Sequence, residues 1–396
     1  MILVENLSVP FDRRVWQEST TLRDAGWDVH VICPQGTKRD TEPYVELDGV
    51  KIHRYPLKAA TGGPRGYLKE YGSALWHTMR LARKIGRGGK IDVVHACNPP
   101  DLLYLVAKRL KRHGAKFIFD QHDLCPELYL SRFDRGEDFL YRQVCRLERA
   151  TYRAADVVIS TNESYREAAI TRGDKPADKV FVVRSAPAVE RFKQVDPEPA
   201  LKKGKPHLLC YLGVMGPQDG VDYALRALAK LRDDLGRDDW HAVFVGAGDT
   251  FDDMVALAKK LKLDEVVEFT GRIPDEDLVR YLSTADVCLS PDPHNPLNDV
   301  STMNKVMEYM AMSRPMVSFE LREARVSAGD AAVYAPANDE LEFAKLTARL
   351  LDDPEERERM GKIGHERVQG PLAWGNSQKA LLAAYAAAVG AVSDQT

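Results

Sequence analysis

Three things are scarce in this chain of 396 residues: paired cysteines, long apolar runs and surplus charge. The six cysteines, Cys33, Cys97, Cys125, Cys145, Cys210 and Cys288, show no CxxC spacing and no dense framework. That argues for a reducing compartment and against a structural zinc site. No stretch approaches the ~18 consecutive apolar residues of a membrane-crossing helix. The N-terminus opens on "MILVEN", with no basic leader and no apolar core, so a cytoplasmic protein without an export signal is expected. A formal net charge of -3 removes any global attraction to nucleic acid. Repeats and low-complexity tracts are missing too, which excludes solenoids and disordered arrays.

What the chain does contain is enough sequence for two cores, since single cores stop growing at ~250 to 300 residues. Short runs rich in Val, Ile and Phe, such as "WDVHVICP", "IDVVHAC", "AKFIFDQHD", "ADVVIST" and "KVFVVRSA", alternate with amphipathic segments such as 66–85 and 139–154. This rhythm predicts parallel βαβ units with helices on both faces. It pauses at 194–206, "QVDPEPALKKGKP", where three prolines and no apolar period read as a linker. It then restarts with "HLLCYLG", "WHAVFVGAG", "VVEFTG", "ADVCLSP", "PMVSF" and "AAVYAP". The expected architecture is two Rossmann-like doubly wound domains, 1–193 and 207–373, facing a central cleft. A closing helix in about 374–396 returns to the first. Ligands of such sheets bind beyond the carboxyl ends of the strands.

The chemistry concentrates at strand ends of the second half. "CYLGVMGPQDGVDYAL" places Gly213, Gly216 and Gly220 between a strand and a helix, where backbone can come close to a phosphate. A tight turn alone would also demand glycine. "FVGAGDT" adds Gly246 and Gly248, and "FTGRIP" adds Gly271, Arg272 and Ile273. A fourth loop, "CLSPDPHNPLNDVSTMN", runs into "KVMEYMAM". There Glu308 stands among apolar positions and suits a ribose diol, while Lys305 suits a diphosphate. The alternative for both is a helix-start charge and a surface cation. Asp292 and His294 in that loop are weak evidence for metal ligands, and no metal or other cofactor is expected.

Between Lys51 and Asp120 fifteen Lys and Arg stand against four Asp and Glu. The helix with Tyr67, Leu75, Trp76, Met79, Arg80, Arg83 and Lys84 fits contact with an anionic membrane carrying a lipid-linked sugar. It fits an ordinary packed helix with a basic exterior equally.

Taken in order, "YLGVMGPQDGVDYALRAL", "FVGAGD", "FTGRIPDEDLVRYLSTADVCLSP" and "NKVMEYMAMSRPMV" resemble the nucleotide-sugar half of GT-B glycosyltransferases, specifically the retaining group called glycosyltransferase family 4. "DRRVWQESTTLRDAGWDVHVICP" and "FDQHDLCPELY" resemble the acceptor half. The resemblance implies a GT-B fold and a retaining transferase that moves a sugar from a nucleotide diphosphate sugar to a hydroxyl acceptor. UDP is the preferred base and GDP the second choice. The acceptor class is a glycan, a glycolipid or a lipid-linked intermediate, on the inner face of the membrane where a lipid is involved.

By the same resemblance Glu308 holds the donor ribose, and Ser301, Thr302, Met303 and Asn304 face the sugar and diphosphate. Ile273 reads the base, and His122, followed by Asp123, stands on the acceptor side near the reacting centre. Two departures stand out. Val300 replaces the first glutamate of the E-x7-E motif, and Val214 and Asp219 replace the cations of the glycine loop. Lys305, Arg272 and backbone amides are the expected substitutes. The first loop, "NLSVPFDRR", lacks the family's glycine pair, so Asp12, Arg13 and Arg14 are read as contacts for an acceptor or a phosphate. A nucleotide-sugar epimerase of the same architecture and a non-catalytic nucleotide-sugar-binding protein are the rival readings.

Overall fold

The computed structural model describes residues 1–36, 39–58, 63–133, 136–187 and 191–390, with 63–65 described by backbone alone. Of the expected closing segment, 391–396 lie outside the described residues. The chain divides into two compact units, residues 1–185 with 375–396, and residues 186–374.

In the first unit the chain runs β1 (Ile2–Leu3), α1 (Arg13–Asp24), β2 (His30–Pro34), β3 (Tyr44–Leu47), β4 (Val50–Tyr55), α2 (Gly63–Gly88) and β5 (Val93–Cys97). It continues through α3 (Tyr104–Lys111), β6 (Lys116–Gln121), α4 (Cys125–Arg132), α5 (Phe139–Ala154), β7 (Val157–Ser160), α6 (Glu163–Thr171) and β8 (Val180–Val182). The sheet order is β3-β4-β2-β1-β5-β6-β7-β8, parallel throughout except for the β3–β4 hairpin. β5 and β7 are buried along their whole length, as befits strands covered by helices on both faces. The strand order reverses between β1 and β5, so the loops leaving those strands flank the position where doubly wound sheets hold ligands.

The second unit repeats the plan with β9 (His207–Leu212), α7 (Val221–Asp233), β10 (Trp240–Val245), α8 (Phe251–Lys260), β11 (Val267–Gly271), α9 (Asp275–Thr284) and β12 (Val287–Ser290). α10 (Asn304–Ala311), β13 (Met316–Phe319), α11 (Arg322–Ala328), β14 (Ala332–Ala335), α12 (Glu340–Asp352) and α13 (Pro354–Gln369) complete it. Its order is β11-β10-β9-β12-β13-β14, parallel throughout, with the reversal between β9 and β12. The loops after those two strands are the glycine loop and the Asn-rich loop.

α14 (Trp374–Val389) belongs to the first unit, where Trp27 meets Tyr385 edge-on at 5.1 Å and Ser377 donates to the Arg184 carbonyl at 2.8 Å. Residues 194–206 were expected to be a linker, yet they are laced to the second unit. Val195 N donates to Ser283 Oγ at 3.0 Å, Glu198 N to Thr284 Oγ1 at 2.9 Å, and Arg280 Nε to Glu198 at 2.5 Å. Prolines in this stretch set a 3-10 turn at Pro199–Lys202 without preventing those contacts.

Candidate active site

β6 ends on Asp120 and Gln121, with His122 next along the chain. Residues two apart on an extended strand point the same way, so Asp120 and His122 meet: His122 Nε2 lies 2.6 Å from Asp120 Oδ2. α1 supplies the counter-charge. Asp12 caps it by accepting from the Val15 amide at 3.1 Å, which fixes the first turn and turns Arg14 inward, while Arg13 is exposed.

Arg14 Nη2 donates to Asp120 Oδ1 at 2.8 Å, and its Nε reaches Asp120 Oδ2 at 3.3 Å. Its Nη1 donates to the Val183 carbonyl at 2.7 Å. Nη2 also stands 3.1 Å from Glu18, one turn along the helix. Arg14 is therefore committed to the interior and is not offered to an acceptor or phosphate as expected. Its Nε is also 3.1 Å from His122 Nε2, but that nitrogen cannot accept from Arg14 while donating to Asp120. The shorter contact wins, so Nε2–H points at the carboxylate.

Burial opposes a charged Asp120, but Arg14 and then His122 overcome it and hold the carboxyl well below the usual range. Burial opposes a charged His122 as well, and the Asp120 carboxylate reverses this, lifting the imidazole above its ordinary value. Glu18 goes the other way: burial raises it to about 8 in spite of Arg14, so it is neutral at neutral pH. Behind Asp120, His95 Nε2 lies 3.3 Å from Oδ2 and His95 Nδ1 lies 3.0 Å from the Tyr385 hydroxyl of α14. Burial lowers His95, so the ring is neutral, with Nδ1 paired to the Tyr385 hydroxyl and Nε2 close to the carboxylate without a well-aligned hydrogen bond to it.

The loop carrying His122 and Asp123 is fixed from β5. Asn98 Oδ1 accepts both their amides, at 2.7 and 3.1 Å, and Asn98 Nδ2 donates to the Asp123 carbonyl at 2.8 Å. Burial raises the Asp123 carboxyl. His95, Cys97 and Asp120 bring three ligand atoms within 4.8 Å of one another. Arg14 already supplies the cation there, and burial keeps Cys97 a thiol, so the set is ill suited to a metal.

In the second unit the loops at the reversal point pack on one another. Gly246, with φ 138°, follows β10, and a Cβ there would collide with the Gly213 carbonyl oxygen. Gly220, with φ 69°, sits against the Pro291 carbonyl. These glycines serve loop-on-loop packing first. Gly216 N donates to Asp219 Oδ2 at 2.9 Å, so the position where a cation was expected ties its own loop instead. Val214, the other such position, is exposed, and its carbonyl accepts from the Tyr211 hydroxyl at 2.7 Å.

Lys305 is buried, with Nζ 2.5 Å from Asp292 Oδ1 and 5.1 Å from the centre of the Tyr211 ring. Asp292 is fully buried and accepts from Ser290 Oγ at 2.9 Å. Lys305 is thus half of a neutral pair and not the spare cation expected, because burying an ammonium without a partner is far too costly. One turn on, Glu308 is half-buried, and beside it the Tyr309 hydroxyl accepts from Leu212 N at 2.8 Å and donates to the Leu289 carbonyl at 3.0 Å. Tyr309 pins β9 and β12 where their ladder parts.

The Ser301 amide donates to the Asn298 carbonyl at 3.3 Å and its hydroxyl to the Leu297 carbonyl at 2.7 Å, so Ser301 closes a turn. Thr302 and Met303 are half-buried and Asn304 is exposed at the start of α10, which has no side-chain cap at Met303. Arg272 is exposed, and Ile273 packs against the core. The partners Glu18, His95, Asp120, Asp292 and Tyr385 were not singled out for these roles from the sequence.

The two units fix the class first: paired parallel α/β sheets with a returning C-terminal helix, the GT-B arrangement. Comparison with known proteins agrees. Residues 12–186 match the family described as "Glycosyl transferase 4-like domain" and residues 206–353 match "Glycosyl transferases group 1". Glycogen synthase of Mycobacterium tuberculosis is 25% identical over 400 residues, covering 95% of this chain and 90% of that protein. Alpha-D-kanosaminyltransferase of Streptomyces kanamyceticus is 26% identical over 342 residues, covering 79% and 83%. Among solved structures, sucrose-phosphate synthase from Thermosynechococcus elongatus superposes with a TM-score of 0.79 at 19% identity over 97% of this chain and 98% of that one. Anabaena HepE in complex with UDP-glucose gives 0.71 at 13% identity over 96% and 97%. The chain belongs to the GT-B glycosyltransferases of the family 4 type, and it is a transferase enzyme.

Proposed function

We propose that the protein moves a sugar from a nucleotide diphosphate sugar, with UDP as the base, to a hydroxyl of a glycan, glycolipid or lipid-linked acceptor, with retention at the anomeric carbon. The observation that carries this reading is the loop pair at the β9–β12 reversal, which brings Gly213, the Lys305–Asp292 pair and the start of α10 together in the half that matches the group 1 family. Anabaena HepE, of the same fold, is described in complexes with UDP and with UDP-glucose.

In this reading Glu308 accepts from the ribose hydroxyls, Ile273 lies against the base, and the uncapped amides of α10 with Arg272 face the diphosphate. Lys305, neutralised by Asp292, orders the loop and lends a local dipole. The bond from the sugar to the β-phosphate oxygen breaks, the bond to the acceptor oxygen forms on the same face, and the acceptor proton passes to the departing phosphate. Asp120 favours the charged form of His122 against burial, and in this reading that charge faces the sugar and acceptor. No metal takes part. The cytoplasm is the proposed location. No helix among the described residues is long and apolar enough to cross a membrane.

Incubating the purified chain with UDP-, GDP- and ADP-sugars and following nucleotide release by mass spectrometry tests the proposal. Release should be confined to one base and should fall at least ~100-fold in His122→Ala and Glu308→Ala. Unchanged turnover in both variants would overturn the reading. Nucleotide binding without release would favour the binding-protein alternative raised by Val214 and Asp219.

A further inference from the structure

α2, α3 and α5 connect β4 to β5, β5 to β6 and β6 to β7, all crossing in one direction. Right-handed connections therefore set them side by side on one face of the first sheet, with α3 packed against both others. α5 reads FLYRQVCRLERATYRA, and its solvent side carries Arg142, Arg146, Arg149 and Arg153, each three or four residues from the last. Its single acid, Glu148, is buried and faces Arg172 at 2.7 Å. α2 exposes Arg80, Arg83, Lys84 and Arg87, and its single acid, Glu70, is half-buried. α3 exposes Lys108 and Arg109 and has no acid. With Lys69 of α2, also exposed, the described residues of three adjacent helices thus present eleven cations and no exposed carboxylate, in a chain whose formal net charge is -3.

A second observation comes from the apolar side chains. Among the described residues the three most exposed large hydrophobics are Leu68 (71%), Phe139 (70%) and Trp76 (59%), and all three lie on α2 and α5. Leu68 stands in the second turn of α2 and Phe139 in the first of α5, and the two helix starts are joined through α4. Arg132 Nη1 donates to the Tyr67 hydroxyl at 2.9 Å, Phe133 meets the Tyr67 ring at 6.1 Å, and the Tyr129 hydroxyl donates to Asp138 at 2.9 Å. α2 begins after the end of β4, and α5 begins after α4, which follows the end of β6, so the apolar tip lies at the end of the sheet that carries His122. Leaving such side chains in water costs free energy unless something covers them.

We propose that this face docks on an anionic lipid bilayer, with the arginine and lysine rows on the headgroup phosphates and Leu68, Phe139 and Trp76 entering the interfacial layer. Nucleic acid would satisfy the cations but not the apolar tip. The docked end is the one from which a lipid-borne hydroxyl could approach His122. The docking itself stands whether or not sugar transfer is confirmed, because its test needs no substrate.

The full chain is sedimented with vesicles of phosphatidylglycerol and phosphatidylcholine and with phosphatidylcholine alone, at low and high salt. Binding should require the anionic lipid and weaken at high salt. The variant with Arg142, Arg146, Arg149 and Arg153 all changed to Gln should partition at least ~100-fold less, at about fivefold per lost charge. Bromine-labelled lipid should quench part of the tryptophan emission of the unaltered sequence and none of that part in Trp76→Phe, a readout independent of the arginine variant's folding. Three outcomes would overturn the proposal: failure to bind the anionic vesicles, binding by the four-glutamine variant equal to that of the parent, or displacement from vesicles by a short RNA duplex at matched phosphate concentration.

Discussion

Asp120 of the first unit gathers Arg14, His95 and His122 within 3.3 Å, whereas Asp292 of the second meets, among the described residues, Lys305 and Ser290. The contrast extends beyond the two sites. In the first unit burial raises the carboxyls of Glu5, Glu18, Asp101, Asp123 and Glu148. In the second unit the carboxyls that shift go down, as Asp239 does beside Arg237 and Glu320 does beside Arg325. One half holds protons in its interior; the other holds its carboxylates ionised against arginines near the surface. In the proposed function that difference matches a division of labour in which the first half presents a held charge to the sugar and acceptor and the second faces the nucleotide through backbone and loop shape.

The heaviest blow to the first network should come from Asp120→Asn. Arg14 would be left as a buried charge beside the neutral Glu18, and His122 would lose the carboxylate that favours its charged form, a loss of about 3 to 5 kcal/mol. Urea denaturation at neutral pH measures it. A loss below about 1 kcal/mol would mean the cluster behaves like a solvated surface pair. Asp292→Asn in the second unit should cost somewhat less, about 3 kcal/mol, since Asp292 holds fewer partners in place than Asp120 does. Adding Lys305→Met to it should recover most of that loss, because a neutral replacement of a buried pair is cheap. If the double variant were no more stable than the single one, the pair would be more than a local charge balance.

The carboxyl contrast predicts opposite responses to pH. Glu5 follows β1, is 4% exposed, and burial with the nearby Glu70 charge raises it to about 8. A raised carboxyl stabilises fully below its unfolded value, and that contribution is lost as pH rises through the folded value. The lowered Asp239 contributes above the unfolded value and loses its contribution only in acid. From about pH 5 to about pH 8 the first unit should therefore weaken, at up to about 1.4 kcal/mol per pH unit for each such group, while the second holds steady. Hydrogen exchange resolved by unit reads this out. Glu5→Gln should flatten the slope in the first unit alone. Equal slopes in both units would end the contrast.

Much of the fold was legible. The alternation of apolar strands with amphipathic segments located both sheets, and the helix expected at 139–154 is the observed α5. Glu308 drew notice as a charge among apolar neighbours at a helix start, and His122 through the resemblance of "FDQHDLCPELY" to the family's acceptor half. Their partners were not legible: Arg14 lies 106 positions from Asp120, and His95 lies 290 from Tyr385. No periodicity in one element reports on a pairing at such separation. Arg14 was found for the wrong reason, since a cation in a strand-end loop looks the same in sequence whether it faces a ligand or a buried carboxylate. The glycines misled in a related way. Gly246 is required by the carbonyl of Gly213, a backbone-to-backbone contact that leaves no mark on side-chain pattern.

The smallest predicted effect probes how far the first network reaches. Tyr385→Phe removes only the hydroxyl 3.0 Å from His95 Nδ1, so the cost in stability should be about 1 kcal/mol. Without that partner the neutral His95 ring gains freedom to turn away from Asp120, and Asp120 loses one of the close contacts that confine it. His122 is raised chiefly by the Asp120 charge acting against burial, and the stability it adds is complete below ~6.5 and is lost as pH rises through the folded value. A less well-oriented Asp120 should move that value downward, by a fraction of a unit in Tyr385→Phe and by more in His95→Gln. Nuclear magnetic resonance titration of the His122 ring follows the shift directly. Tyr385 and His95 act through Asp120 and need not touch substrate, so they are positioning residues. If His122 titrated identically in all three proteins, the C-terminal helix would serve the first unit by packing alone.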